Sequence, residues 1–465
     1  MKFEWTREQL DMFSMADDPS IKFLKVAAVA GSSKTTSLVE IAKRNPDKKI
    51  LYLTFSKVMA DEAAKMFPSN VECRTIHSLA YRSTVRQQGL QVSSGFYPRD
   101  MDLNIAYSVR KEISDCLDDY CLSGSTMLEE YCKINKITKD VEDYINGYLH
   151  EMYEGTLGCP HSFYLKLFHT LLANDGLHIP ESDILMIDEA GDLTDLTIEV
   201  FKLMPSKKKI MVGDPFQSIF SFMNCSNAFE YFKDDGITAH LTKTFRCATP
   251  IAIRVQRFVR SHLDAEFNFI GNDYPKDYKV KTKAYIGLTN AGLLGEMVDL
   301  MQRGIKFRTS RSIDTILELP LVLANVGNGK PIKDIKYKAI ELLRKSWIKH
   351  SVDPRFVRNY PNELLYIRDK LSQDNEVAIA CRVVMKSKSK TINAIAKYVR
   401  AASAFEPEVV LTTAHSSKGM TFDEVTISTD FNERMKDDPS DELFRLYYVA
   451  VTRCRVSLKN AVFLG

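Results

Sequence analysis

Phe23-Leu24-Lys25-Val26-Ala27-Ala28-Val29, running on into Ala30-Gly31-Ser32-Ser33-Lys34-Thr35-Thr36, is the stretch on which the fold of this chain turns. A short β run breaks at a turn of small residues, and a helical pattern then continues through Ala42. Such a turn lets backbone N–H groups close on a phosphate, and the helix N-terminus adds its dipole. In that setting Lys34 reaches β and γ oxygens and the Thr35 hydroxyl ligates Mg²⁺. Ala30, Gly31, Ser32, Ser33 and Thr36 complete a candidate ATP-binding loop. Glycine is favoured before the lysine because the backbone passes close to phosphate and can need positive φ. Here that residue is Ser33. A serine is small and its hydroxyl can donate to a phosphate, so a tuned loop is expected, not a dead one.

Working outward, Lys49-Ile50-Leu51-Tyr52-Leu53-Thr54 reads as the next strand and 57–66 as a helix. Strand and helix alternating through short loops predict a parallel sheet covered on both faces. Strands return at 184–187 and 210–212, each closed by acidic residues where a parallel sheet presents its ligands. The first ends in Asp188-Glu189-Ala190. Behind a phosphate loop, Asp188 is the natural outer-shell anchor for Mg²⁺, and Glu189 the base that orients the attacking water. Two acidic residues heading a solvated loop would be the ordinary reading without that loop. A second alternating region follows Thr244, with strands near 284–286, 377–380, 409–411 and 425–427.

The stretch from 87 to 172 is helical in pattern and rich in Tyr, Asp and Glu, and 310–370 is helical and Lys-rich. The expected organisation is α/β: two RecA-like parallel-sheet lobes, each with a small helical insertion. The first lobe takes residues 1–86 and 173–244 around the insertion 87–172. The second takes 245–309 and 371–465 around the insertion 310–370.

Composition sets the bounds. At 465 residues the chain exceeds one ordinary core, given about 100–200 residues per domain. Apolar content of 45% and charged content of 26% are those of a globular protein. No apolar run has the length of a membrane span, and the first residues lack a secretion-signal pattern. Nine scattered cysteines suit reduced thiols and a cytoplasmic setting, whether nucleoid or viral host cytoplasm. Cys116, Cys121 and Cys132 lack a fourth ligand at tight spacing and read as buried helical thiols. A net charge of +3 excludes a polybasic wrapper, so nucleic-acid affinity needs a local groove. Lys207-Lys208-Lys209 reads as a solvated turn in preference to a nuclear address.

The ordered motifs resemble those of UvrD/Rep/PcrA-like DNA helicases of superfamily 1. Trp5-Thr6-Arg7-Glu8-Gln9 looks like the family's Q motif, which implies that Gln9 reads the adenine edge. Thr54-Phe55-Ser56-Lys57 and Arg74-Thr75-Ile76-His77-Ser78-Leu79-Ala80 resemble its early DNA-contacting motifs. The run Val212-Gly213-Asp214-Pro215-Phe216-Gln217-Ser218-Ile219-Phe220-Ser221-Phe222 is similar to motif III, with Gln217 as γ-phosphate sensor. Leu241-Thr242-Lys243-Thr244-Phe245-Arg246 is similar to motif IV, implying Phe245 against adenine and Arg246 on the phosphates. Thr412-Thr413-Ala414-His415-Ser416-Ser417-Lys418-Gly419-Met420 looks like motif V, bringing in Gly419 at the nucleotide. Tyr447-Tyr448-Val449-Ala450-Val451-Thr452-Arg453 looks like motif VI, which makes Arg453 an arginine finger. The resemblance runs from residue 5 to residue 455 and implies ATP held between two lobes.

It also implies a single-strand track with phosphate contacts and aromatic platforms. Thr54, Phe55, Thr75, His77, Phe220 and Phe222 would line it from the first lobe, Thr413 and His415 from the second. Phe220 reads equally as a core residue. Several positions depart from the pattern: Gly191 after Asp188-Glu189-Ala190 (the counterpart of motif II), Met223-Asn224-Cys225 closing motif III, Leu288 ahead of Thr289-Asn290, and Thr421 in motif V with Asp423 nearby. The compact insertions and the Thr-Phe-Asp-Glu-Val ending look closest to the F-box DNA helicase core and to lean phage helicases. The implied function is an ATP- and Mg²⁺-dependent single-stranded DNA translocase and helicase, moving 3′ to 5′ in replication, recombination or repair. Its implied partners are single strands, single/double-strand junctions and replication or recombination proteins, with no membrane. An accessory single-strand clamp with weak ATPase is the alternative. A small-molecule P-loop kinase would have no use for motifs V and VI.

Overall fold

The computed structural model describes residues 4–220, 225–332, 337–350, 360–371, 376–386, 389–402 and 407–464. Two compact units divide the chain, Met1–Lys243 and Thr244–Gly465. Phe222 lies outside the described residues.

The first unit is built on β1 (Phe23–Ala28), β2 (Ile50–Thr54), β3 (Val71–Thr75), β4 (Ser182–Ile187), β6 (Ser206–Gly213) and β8 (Ile237–Leu241), with the short pair β5 (Leu193–Thr194) and β7 (Cys225–Ser226) beside them. The six long strands form one sheet in the order β3-β2-β4-β6-β1-β8. All its pairings are parallel. Because every strand runs the same way, the loops after β1, β2, β3, β4 and β6 leave from one edge. That edge collects the phosphate loop, Thr54-Phe55, Thr75, Asp188-Glu189 and Asp214.

Period-two alternation explains why both faces are buried. Ile184 and Met186 of β4 join the core of Met12, Phe13, Leu24, Val26 and Leu38. Leu185 and Ile187 join the opposite core of Ile113, Leu117 and Phe168. The first core is covered by α1 (Arg7–Asp17), α2 (Lys34–Arg44) and α3 (Lys57–Met66). Behind the second lie α4 (Ile76–Ser83), α5 (Val85–Gln88), α6 (Tyr107–Leu122), α7 (Leu128–Ile134), α8 (Lys139–Tyr153), α9 (His161–Ala173), α10 (Asp195–Leu203) and α11 (Ala228–Tyr231).

The three lysines at 207–209 are not a solvated turn. They belong to β6, which begins at Ser206. Lys208 is buried with its ammonium on the carbonyls of Ala16 and Asp18 (2.7 Å to the latter), closing the C-terminal end of α1. Lys207 pairs with Asp183 at 2.8 Å. The long apolar stems let lysines lie in a strand while each ammonium finds an oxygen.

In the second unit β9 (Lys243–Ala248) pairs with β10 (Ile270–Asn272). The main sheet uses β11 (Lys283–Gly287), β12 (Phe307–Thr309), β13 (Val409–Thr413), β14 (Phe422–Ile427) and β15 (Cys454–Lys459). Their order is β12-β13-β11-β14-β15, again all parallel. The helices are α12 (Thr249–His262), α13 (Leu293–Gln302), α14 (Ile313–Gly327), α15 (Lys338–His350), α16 (Tyr360–Asp369), α17 (Glu376–Lys386), α18 (Ser389–Ala402), α19 (Ala414–Ser417), α20 (Thr429–Asp437) and α21 (Asp441–Val451). The expected strand at 377–380 is instead the first turn of α17. Its apolar run continues at helical spacing through Cys381 and Val384 into the core, and a short apolar run alone does not separate strand from helix. The α/β class with parallel sheets holds in both units. Among the described residues no helix is long and apolar enough to cross a membrane.

Candidate active site

The phosphate loop is formed by its own backbone. Ser32 N–H donates to Val29 O at 3.2 Å, Gly31 takes φ +75°, and Ser33 takes φ +62° at the N-cap of α2. A left-handed φ costs an L-residue about 1–2 kcal/mol, so Ser33 carries strain that a glycine would not. Its carbonyl accepts from Ser37 N at 3.0 Å and from Ser37 Oγ at 3.1 Å. Its own hydroxyl makes no capping bond to α2. The Ser32 hydroxyl is buried without a hydrogen-bond partner among the described residues. A buried hydroxyl left unpaired costs about 1–3 kcal/mol, and a phosphate oxygen beside an uncapped helix start would satisfy it. The loop fits a nucleotide triphosphate on that ground.

Gln9 is deeply buried beside the phosphate loop. It is 1% exposed, its Oε1 accepts from Thr6 N (3.0 Å) as half of a capping box, and its Nε2 donates to Ser37 Oγ (3.0 Å). Both ends of the amide are engaged, so Gln9 supports the phosphate loop through Ser37.

Asp188, at the end of β4, is buried and fixed at both oxygens. Oδ1 accepts from Glu189 N (2.8 Å), and Oδ2 from Thr35 Oγ1 (3.1 Å) and Tyr52 OH (2.9 Å). Burial, then the neighbouring Glu189, raises its pKa, while Lys34 pulls the other way. A buried carboxylate and a threonine hydroxyl on one oxygen site, beside a second carboxylate, form the hard oxygen set that Mg²⁺ takes. The residues therefore fit the ion, and its charge would offset the repulsion that burial creates. Glu189 is half-buried and held at φ +57°. Sequence reasoning passed over Tyr52. A phenol in an otherwise aliphatic parallel strand was the available sign, because a buried tyrosine hydroxyl needs a partner.

Motifs II and III interlock through glycines. A Cβ on Gly191 would lie 2.7 Å from Asp214 O, and one on Gly213 would lie 2.8 Å from Ala190 N. The unusual glycine after motif II is thus dictated by close backbone approach. Asp192 adds a tie by accepting from Ile219 N at 3.0 Å. Gln217, the expected γ-phosphate sensor, is buried with Nε2 donating to Asp214 Oδ2 at 2.6 Å.

The first-unit DNA candidates stand on the same edge. Thr54 is buried, Phe55 is 73% exposed, and Thr75 caps α4 by accepting from Ser78 N at 3.1 Å. His77 meets His161 and Tyr164 edge-on. Thr54, Phe55, His77, Asp188 and Asp192 share the walls of a cavity of about 90 Å³. Phe220 is half-buried.

In the second unit Arg246 and Arg453 meet at Thr452. Arg246 Nη1 donates to Thr452 O (3.2 Å) and Arg453 Nη2 to Thr452 Oγ1 (3.2 Å). Arg453 is buried, with Nε on Val449 O (2.9 Å) at the C-terminal end of α21, where a cation suits the helix dipole. Phe245 is half-buried, its carbonyl accepting from Asn272 Nδ2 (3.3 Å). Thr413 caps α19, which carries His415, and Gly419 stands exposed at φ +83°. Asp423 is structural: it accepts from Lys281 N (2.8 Å), Thr282 N (2.9 Å), Tyr278 OH (2.8 Å) and Arg455 Nη1 (3.0 Å). Asp430 similarly holds the Leu288-Thr289 turn, accepting from Thr289 N at 3.0 Å. Cys121 and Cys132 are buried thiols, and burial pushes Cys121 up to about 12. Among the described residues no cluster of three or more metal-ligating side chains occurs.

Comparison with known proteins matches the same regions. A family described as an AAA domain covers residues 16–223, the span from the end of α1 through motif III. F-box DNA helicase protein 1 of Schizosaccharomyces pombe is 24% identical over 94% of this chain and 55% of its own length. F-box DNA helicase 1 of Gallus gallus is 24% identical over 94% of this chain and 47% of its own. The chain is similar to these helicases along nearly its whole length. It spans about half the length of the curated relatives it matches. The AAA-domain match spans both the nucleotide loop and the acidic strand end on the edge of one parallel sheet.

Proposed function

We propose that this chain is a superfamily 1 helicase that hydrolyses ATP and couples hydrolysis to movement along single-stranded DNA. The observation that carries the reading is the joined edge of the first sheet. There an uncapped helix start, the unpaired Ser32 hydroxyl, and the Thr35–Asp188 pair at 3.1 Å stand beside the exposed Phe55. The relatives' printed names, both DNA helicases, support DNA as the substrate.

In this reading the loop amides and the Ser32 hydroxyl hold phosphate oxygens, and Lys34 neutralises those that gain charge in the transition state. Magnesium would be held by Thr35 and, through water, by Asp188, and supplies further charge neutralisation. Glu189 orients the attacking water and accepts its proton. Gln217 leaves Asp214 for the terminal phosphate, and Arg246 and Arg453 bring positive charge to the transferring group, a contribution of about 10³–10⁵ in related NTPases. Thr54, Thr75, Thr413 and backbone amides contact the DNA backbone, while Phe55, His77, Phe220 and His415 offer faces for bases. We also propose 3′ to 5′ movement, with roles at junctions in replication, recombination or repair, from the motif resemblance. Strand displacement on substrates with opposite overhangs tests this: release only from 3′ overhangs is expected, and release only from 5′ overhangs overturns the polarity. Lys34→Ala should abolish turnover and leave DNA binding; retained turnover overturns the site.

A further inference from the structure

Asp188 is held from a direction that ATP chemistry does not require. Tyr52 is buried in β2 with its ring against Phe67, centroids 4.8 Å apart. Its hydroxyl donates to Asp188 Oδ2 at 2.9 Å, the oxygen that Thr35 Oγ1 also reaches. The strand cannot slide to break this contact, because β2 is paired on both sides and Leu53 lies opposite Ile187.

We propose that Tyr52 is a positioning residue whose phenol orients the Asp188 carboxylate for magnesium. This rests on reading the site as a Mg²⁺-dependent ATPase.

Tyr52→Phe keeps the ring on Phe67 and removes only the hydroxyl. Equilibrium binding of a fluorescent ATP analogue, titrated with Mg²⁺ and repeated in EDTA, reads the metal step without turnover. The Mg²⁺ concentration for half-maximal binding should rise about 10-fold or more, the range for a hydrogen bond to a charged group. Binding in EDTA should stay unchanged. An unchanged Mg²⁺ requirement overturns the proposal. So does an equal loss with and without metal alongside a lower Tm, which would make Tyr52 a packing residue. Absence of ATP turnover in the unmutated protein would sink the ATPase reading, whereas the Mg²⁺ titration judges the carboxylate-orienting role by itself.

Discussion

Ser33→Gly should make the phosphate loop more stable, and the size of the gain follows from its backbone. Ser33 holds φ +62° and ψ +39°, a conformation that costs an L-residue about 1–2 kcal/mol and glycine nothing. Glycine gives back roughly 0.4–1 kcal/mol through the freer unfolded chain. The net is a stabilisation of roughly half to one kcal/mol, which moves Tm by about 1–4 °C for a unit of this size. The bonds from Ser37 to the Ser33 carbonyl use the backbone and survive the change. Differential scanning fluorimetry without nucleotide reads the strain, and titration with a fluorescent ATP analogue reads the hydroxyl. Ser33→Ala is the control: it keeps the strain and loses the hydroxyl. If the hydroxyl donates to phosphate, Ala and Gly should lose affinity alike while only Gly gains stability. A Ser33→Gly protein that melts at or below the Ser33→Ala protein would refute the strain argument.

Asp423→Asn should cost the second unit about 1–3 kcal/mol, as expected when buried donors lose a carboxylate acceptor while the paired Arg455 stays partly exposed. Burial raises the Asp423 carboxyl pKa, but the Lys281 amide, the Tyr278 hydroxyl, the Arg455 guanidinium and the Thr282 amide outweigh it and hold it far below the usual range. A depressed folded-state pKa stabilises above the unfolded value of about 3.9 and is lost only as pH falls toward the folded one. Denaturant melts should therefore separate mutant and wild type fully at pH 7 and less so below pH 4; a gap that shrinks between pH 7 and 5 would contradict this. Gly191→Ala should destabilise the first unit by about 1–3 kcal/mol, because its Cβ would meet the Asp214 carbonyl; an unchanged Tm would show that the loops can part. Phe55→Ala should weaken single-strand binding by about 1–3 kcal/mol without altering its salt slope. A changed slope with unchanged stacking loss would mean that the residue orders phosphate contacts instead.

The nucleotide end of the first unit was legible because it depends on local chemistry. A strand, small residues and Lys-Thr leave few alternatives, and the need for positive φ at Ser33 follows from the loop itself. Parallel pairing was legible for the same reason: strand and helix alternate with short loops. What stayed hidden depends on partners distant in sequence. Tyr52 finds its role only because β2 lies beside β4. Gln9 meets Thr6 and Ser37 through its amide, and the Ser37 contact joins residues far apart in sequence. Asp423 looks like a displaced motif residue until Lys281 and Thr282 arrive from the edge of β11. The run at 377–380 is apolar enough for a strand, and only its continuation to Val384 makes it helical. At 207–209 three charges suggest solvent, but the stems run in a strand and Ala16 and Asp18 receive the ammonium of Lys208.

Steady-state ATP hydrolysis by the unmutated protein, measured with and without single-stranded DNA and against Glu189→Gln, bears most directly on the central claim. A DNA-driven motor should hydrolyse slowly alone, accelerate when the strand is added, and lose both rates by about 10²–10⁴-fold when the base is removed. Turnover indifferent to DNA, or turnover that persists in Glu189→Gln, would contradict it.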